Sequence, residues 1–501
     1  MKRGRSLKDI LFRHESILIL AFLITAGFLL RINRLNEEFV FLYDQGRDAQ
    51  VVKQIIEEKK LTLLGPPMTA EGAYYGPFYY YFLLVGYSIG GGNPLFVMYL
   101  VILLNMFSII FIYYVVKKYI NRIASYVAVF LNVFCSYLVI SSRTLSNPAL
   151  IPMLAVLYYY LLIRSFLKNS KTLLLAGVVL GLIIQLEFPV AIQYFFVFVV
   201  YIFSVKSIRE KIKSLVFFSF GFFIAILPQV VFEVRHDFLT SRSLMRFVLE
   251  RDAFEKFNLF ILKNNLMSLE NEIGRIIMPS LAYVGLAIYL LQICLGFIKV
   301  FGSQSKKDLI VFRLLLANLL FIPLVLLFTD WGFEHLFLIG TAPFCLMFLA
   351  FYLSNLYKRS KGLLYVLMLS FMVLNLFYLK KNENFNNFVP NGNKITYGQQ
   401  KEVIDYIYKQ AEGGDFYYEA YTVPNWLPDV WEYLFSWYGF RTYGYIPKKE
   451  SMDTFYLIIE KDYDHPKLLD DWLCVKGESS YKVVEKKISD TLMVEERKKN
   501  E

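Results

Sequence analysis

The chain has 501 residues, of which 56% are hydrophobic and 18% aromatic, and its formal net charge is +11. That is too apolar for a water-soluble globular chain, and the many apolar runs of about 18 residues or more approach the ~20 helical residues that cross a bilayer. The composition specifies a polytopic helical membrane protein, and the excess of basic residues, small for this length, is read by location in loops rather than as a footprint for nucleic acid.

In chain order, the basic start MKRGRSLKDILFRH precedes the run ESILILAFLITAGFLLRI. No small-residue cleavage site precedes Arg31, so the start reads as an uncleaved signal anchor. A few residues beyond this run, FLYDQGRDAQ places Asp44, Arg47 and Asp48 around Gly46. Gly46 suits a close turn there. From Asp48, DAQVVKQIIEEKK puts Val52, Ile55 and Ile56 on one face, which predicts a short amphipathic helix lying flat on the outer surface. A Gly/Pro-rich link, LLGPPMTAEGAYYGP, leads to PFYYYFLLVGYSIGGG. Pro77 suits the first turn of a helix and the glycines from Gly90 its end. At about fourteen residues that helix is short for a crossing. Its tyrosines (Tyr74, Tyr75, Tyr79, Tyr80, Tyr81 and Tyr87) fit an aromatic belt at the membrane interface.

With the first span at 16–35, further apolar runs follow at 94–116, 123–141, 148–167, 172–187, 189–205, 214–233, 276–298, 309–329, 336–354 and 362–379. This predicts about eleven spans. If the N-terminus is cytoplasmic and the Pro77 helix is interfacial, KKYINR, LKNSKT, VKSIREKIKS, KVFGSQSKKD and YKRSKG all fall inside. The opposite loops LEFP and DWGFEH hold no Lys or Arg. If the Pro77 helix spans instead, every basic loop moves outside, against the positive-inside bias. The outer loop at 234–275 has room for another amphipathic helix, with Arg242 and Arg246 one turn apart. After about residue 380 the chain turns polar. Helices are predicted at QQKEVIDYIYKQA and near PDVWEYLFSWYGF, strands at DFYYEAYTV and TFYLIIE, and a frayed end at EERKKNE. The predicted fold is thus an all-α polytopic membrane domain of about eleven helices (1–380), with interfacial helices in its first outer loop, and a small α/β extracytoplasmic domain (381–501). The protein is placed in the cell membrane, with the N-terminus inside.

Of the four cysteines, Cys135, Cys294 and Cys345 sit in apolar runs and Cys474 is alone in the tail, with no metal-binding spacing. Two classes fit such a chain: an enzyme working at the outer face, or a transporter or flippase of a lipid-linked saccharide. Coupled transporters keep ionisable groups near the bilayer midplane. Here Arg164, Glu187 and Glu233 lie near span ends, and the charges cluster at outer helix ends. That pattern favours an outer-facing site.

The stretches YDQGRDA and GPFYYYFLL resemble the GT-C superfamily of glycosyltransferases, in the branch of the protein O-mannosyltransferases and the lipid A aminoarabinose transferase. The resemblance covers most of the chain. It implies transfer of a sugar from a polyprenyl-phosphate carrier to an extracytoplasmic acceptor (protein, glycolipid or polysaccharide), with Asp44 at the position of the first-loop aspartate near the acceptor hydroxyl. Two departures stand out. SSRTLSNPAL offers Asn147 where relatives often carry a second acid, and YYGP lacks the lysine of the aminoarabinose transferase.

The residue types suit this chemistry independently. A carboxylate can take the proton of an incoming hydroxyl, and cationic or hydrogen-bonding groups can stabilise a departing phosphate. Asp44 and Asp48 are the catalytic candidates. Arg47, Tyr75, Arg143, Asn147, Glu187 and His335 are the substrate-binding candidates, with Arg235, Arg242 and Arg246 behind them. A monophosphate leaving group does not strictly require a metal; a divalent ion is compatible with the chemistry but not indicated by any ligand cluster, and the polyprenyl-phosphate sugar enters as the donor substrate. Each candidate also has a plain structural reading: Asp44 as a helix cap, Asp48 as a cap or partner of Arg47, Arg143 as an interface anchor, His335 as a loop hydrogen-bonder, the tyrosines as packing.

Overall fold

The computed structural model describes residues 7–168, 170–250, 259–327, 335–381, 395–423, 427–450, 452, 454–475 and 481–499. The membrane part opens with α1 (Leu7–Ile32), the single turn α2 (Leu35–Glu38), α3 (Tyr43–Glu58) and α4 (Phe78–Ile89). It continues with α5 (Pro94–Tyr119), α6 (Arg122–Phe134), α7 (Ser136–Ser141) and a 3-10 turn leading into α8 (Ile151–Leu167). Then come α9 (Thr172–Ile184), α10 (Phe188–Ser204), α11 (Ile208–Arg235), α12 (Leu239–Glu250) and α13 (Leu259–Ile277). The last four are α14 (Ala282–Phe301), α15 (Lys306–Leu327), α16 (Ala342–Arg359) and α17 (Lys361–Lys381).

Every predicted apolar run contains a helix, but among the described residues seven helices are long and apolar enough to cross a bilayer. The expected count of about eleven is not reached, because α6, α9 and α10 are shorter and α16, with 18 residues, is not among the seven. The run at 123–141 is broken at Cys135, whose backbone is extended. Arg31, almost fully buried, donates to the carbonyls of Asn132 and Val133, and the Asn375 side chain accepts from Ser136 N–H. The break thus leaves no orphaned helix end.

Without a hydrophobic drive between helices in lipid, close approach of small residues holds spans together. Gly177 and Gly181 of α9 face Gly221 and Ala225 of α11, and a Cβ on Gly177 or Gly221 would run into the partner's backbone carbonyl. The opposite side of α11 exposes Phe220, Ile224 and Leu227, as a lipid-facing surface would. The basic turns gather at one end of the bundle: Asn121 bonds Ser354, Lys118 bonds Tyr160, and Arg313 bonds Ser204.

Two expectations for the outer loops change. Helix α13 was not foreseen; its mixed sequence hides an apolar face that packs on α14, where Gly274 and Gly285 meet backbone to backbone. Tyr79, Tyr80 and Tyr87 of α4 are buried in the core rather than forming an interface belt.

The C-terminal part contains α18 (Tyr397–Gln410), β1 (Tyr417–Tyr421), α19 (Asp429–Leu434), a π turn over Phe435–Gly439, α20 (Phe440–Tyr443), β2 (Thr454–Glu460), α21 (Pro466–Val475), β3 (Tyr481–Lys487) and β4 (Leu492–Lys499). All four elements predicted there are present. The end predicted to fray is instead β4, an inner strand of a sheet ordered β1-β2-β4-β3, with β1 parallel to β2 and the other pairs antiparallel. Its charged residues survive burial by pairing, as with Arg497 and Glu495 at 2.7 Å.

This part is bolted to the segment between α2 and α3. Tyr397 N–H donates to Phe39 O and Gln400 Nε2 to Phe41 O. Phe39, Phe41, Tyr87, Tyr397 and Tyr433 form one aromatic cluster with centroids 5.7–6.3 Å apart. The carbonyls of the glycine turn after α4 are caught from the same side: Tyr433 Oη and Trp437 Nε1 donate to Gly92 O and Gly91 O, and Arg441 Nη1 donates to Gly91 O. Gly91 and Gly92 both have positive φ, which the turn requires.

The helix crossing yields the first prediction. Gly221→Val should cost at least 1–3 kcal/mol by overpacking, read as a lower melting temperature in detergent. Gly362→Val, where an added Cβ meets nothing, should leave it unchanged.

Candidate active site

The site is built on the first turn of α3. The helix begins at Tyr43, five residues before the expected start, so Gly46 and Asp48 lie inside it and Gly46 makes no turn. The reason for a glycine is contact: a Cβ there would strike the backbone of Val430 in α19. Nor does the helix lie free on a surface, since Val52 and Ile55 are buried and Gln50 Nε2 donates to Asp429 O. Gln45 pins the turn, accepting from Leu42 N–H at 2.6 Å and donating to Leu145 O at 2.9 Å.

The three charges of the opening motif form one network. Arg47 Nη1 donates to Asp44 Oδ1 at 2.8 Å, while its Nε and Nη2 donate to Asp48 Oδ1 at 3.0 and 2.8 Å. Tyr80 Oη adds a fourth bond, to Asp48 Oδ1 at 3.2 Å. The two acids are in opposite environments. The Asp44 side chain is 70% exposed, at a helix N-terminus that favours negative charge. Asp48 is 4% exposed, and burial pushes its carboxyl up to about 6 against the pull of Arg47. Arg47, although burial pulls it down, is held above its ordinary value by Asp48 and Asp44.

The other candidates divide into three groups. Tyr75 and Glu187 meet, Tyr75 Oη donating to Glu187 Oε1 at 3.1 Å. Asn147 Nδ2 donates to Leu186 O at 2.7 Å, so the 145–147 segment is strung between Gln45 on one side and the neighbour of Glu187 on the other. Arg143 is buried, and its fork is taken up by Asn33 O at 2.7 Å and Glu38 Oε2 at 2.8 Å. The backbone of His335 starts a 3-10 turn, and its side chain lies outside the described residues. Arg242 and Arg246 lie on α12, whose first amides at Thr240 and Ser241 are capped by the Glu233 carboxylate. A cavity of about 290 Å³ opens between α10, α11, α12 and the Gly/Pro-rich link, with an apolar lining that includes Met68, Phe188 and Leu244.

Sequence reasoning missed several supports. Tyr80 was singled out only as part of a belt. Gln185 was not noticed, although its Oε1 accepts from Phe78 N–H and its side chain fills the space beside Gly76. The glycine in GPFYYY was the available signal. Gln45 and Val430 carried no signal of their own. Among the described residues no group of three or more His, Cys, Asp or Glu could hold a metal ion.

A bundle of apolar helices that presents a carboxylate on the first turn of α3, joined to a C-terminal α/β unit, is similar in fold to the GT-C glycosyltransferases. Residues 75–232 match the family model described as dolichyl-phosphate-mannose-protein mannosyltransferase. The structure is similar to that of ArnT from Cupriavidus metallidurans, with a TM-score of 0.60 at 11% identity over 97% of this chain and 98% of that one. It is also similar to the oligosaccharyltransferase AglB from Archaeoglobus fulgidus, determined with an inhibitory peptide and a dolichol-phosphate. There the TM-score is 0.51 at 12% identity over 96% and 74% of the two chains. At these identities the likeness establishes the fold. A comparison with curated proteins finds no match.

Two predictions follow from the geometry. The buried Asp48 carboxyl binds its proton more tightly in the folded chain, so that contribution to stability is complete below the ordinary value of 3.8 and is lost as pH rises to about 6. Melting followed from pH 4 to 7 should show Asp48→Asn losing part of this slope, up to roughly 3 kcal/mol. Removing one member of a buried ion pair strands the other, so Arg143→Ala should cost about 3–5 kcal/mol. Arg143→Met with Glu38→Leu should recover most of that loss in the same melts.

Proposed function

We propose that the chain is an integral membrane glycosyltransferase that moves a sugar from a polyprenyl-phosphate carrier to a hydroxyl-bearing acceptor on the extracytoplasmic side. The observation that carries this reading is the placement of Asp44. Its carboxylate is open to solvent yet sits on a helix turn fixed by Gln45, Arg47 and Val430. In the proposed reaction the acceptor oxygen attacks the anomeric carbon, the bond from that carbon to the phosphate oxygen breaks, and polyprenyl phosphate departs. The hydroxyl proton passes to Asp44, and a base held in position is worth about 10²–10⁴ in rate. Asp48, buried beneath, holds Arg47 in place and sets the charge of the turn.

Arg47, Tyr75, Asn147, Glu187 and His335 are the groups we assign to the donor and acceptor. Arg143, already committed to Glu38, shapes the loop that carries Asn147. Residues 1–380 form the membrane domain in this reading and 381–501 an extracytoplasmic one. The basic turns at the opposite end of the bundle support a cytoplasmic N-terminus. Family and fold supply the expectation of a lipid-phosphate-sugar donor; the pattern of charges at helix ends favours it over transport of a lipid-linked saccharide.

Asn caps a helix about as well as Asp but cannot accept the proton. Asp44→Asn should therefore keep the melting temperature and lose sugar transfer by at least roughly 10²-fold, measured in membranes with a panel of labelled polyprenyl-phosphate sugars. Transfer near the wild-type rate would overturn the assignment.

A further inference from the structure

The end of the bundle where the basic turns gather holds a pair of cations that the proposed reaction does not use. Helix α5 runs for 26 residues, about 39 Å, from the glycine turn at Pro94 to this end. Here Lys118 of α5 and Arg164 of α8 converge on one phenol. Lys118 Nζ lies 3.4 Å and Arg164 Nη1 3.1 Å from Tyr160 Oη. Lys118 also donates to Tyr114 Oη at 2.8 Å, and its ammonium stands 5.0–5.2 Å from the ring centres of Tyr114, Tyr119 and Tyr160.

Two cations brought to one neutral oxygen repel each other, and the chain supplies no charge to offset them. Residues 94–186 contain no Asp or Glu. Among the described residues no acid pairs with Lys118 or Arg164. The ring faces offset part of the charge on Lys118, while Arg164 points outward and is exposed. An ammonium carries three donors, a guanidinium five and a phenol one, so what remains unspent at this spot is donor capacity. Spare donors around two cations on neighbouring helices complement an anion with several acceptor oxygens.

The approach to this spot is apolar. Leu103, Phe107, Ile110 and Tyr114 are exposed and recur every three or four residues along α5, which places them on one face leading to Lys118. We infer that Lys118, Arg164 and Tyr160 hold the phosphate of an anionic diacyl phospholipid whose acyl chains run along this face. Basic sites between spans are where such head groups are held. The apolar face selects a lipid phosphate over a free one, because inorganic phosphate has nothing to lay against it. The bound phosphate also bridges α5 to α8, so it stabilises the bundle.

The test uses the full chain in mild detergent, titrated with phosphatidylglycerol or phosphatidylcholine, with native mass spectrometry counting the lipids that stay bound. Phosphatidylglycerol should bind in preference and raise the melting temperature, and excess inorganic phosphate should not displace it. Lys118→Gln with Arg164→Gln should weaken the first bound phosphatidylglycerol roughly tenfold or more and abolish the rise in melting temperature. Tyr160→Phe keeps both charges and the bulk of the ring but removes the oxygen on which the cations meet; it should weaken binding severalfold. Lys358→Gln with Arg359→Gln, a basic pair in the last turn of α16, should leave binding unchanged. Equal binding of the two lipids or displacement by inorganic phosphate would each overturn the inference on the unaltered protein. So would an equal loss in the α16 pair, or wild-type binding by Tyr160→Phe.

Discussion

The Asp44 turn depends on one contact, the seating of Val430 against the backbone of α3 at Gly46. A helix of sixteen residues has little to hold it on its own, since isolated helices of about this length are marginal in water. Here α4 lies on one side of it and α19 on the other, and the absence of a side chain at residue 46 lets the second helix approach to backbone distance. The carboxylate at residue 44 thus has its direction set from a part of the chain nearly four hundred residues away. Substituting the glycine would move the acid without touching it.

Around that contact amide side chains tie the loops, alongside the buried Arg143–Glu38 pair. Gln45 holds the 145 carbonyl, Asn147 holds the 186 carbonyl, and Gln185 receives the first amide of α4. Each is a neutral hydrogen bond with a partly or fully buried partner, where leaving the group unsatisfied costs more than the bond itself gains. The exposed Asp44 and the buried Asp48 share one arginine, so two acids of the same type stand in unlike surroundings a single helical turn apart.

Much of the architecture was legible in the sequence, because it rests on local composition. The run from Pro94 is apolar over more than a bilayer's depth, and Pro77 with Gly90 bracketed α4 to within a residue. The four predicted elements of the C-terminal part follow from short-range alternation. What could not be read depends on partners distant in the chain. Nothing near Asp48 announces that Tyr80 will cover it, and nothing near Arg143 announces Glu38, 105 positions away. Helix α13 was hidden because asparagines and glutamates interrupt its apolar face. Strand β4, LMVEERKK, looks like a solvated tail until Glu495 and Arg497 are seen paired inside the sheet.

The glycine turn after α4 has a consequence for how the protein is made. Its carbonyls receive hydrogen bonds from Tyr433, Trp437 and Arg441, and all three belong to the last fifth of the chain. Synthesis runs from the N-terminus, so α3, α4 and their connecting link reach the membrane long before these partners exist. Until residues 397 and 433 have been made, the aromatic cluster at Phe39 and Phe41 lacks two of its five members and α3 lacks its contact with α19. A nascent chain therefore carries the acidic motif without the geometry that orients it. Docking of the C-terminal unit therefore follows synthesis of α3 and α4, and the first loop reaches its described shape only once residues 433–441 have been made.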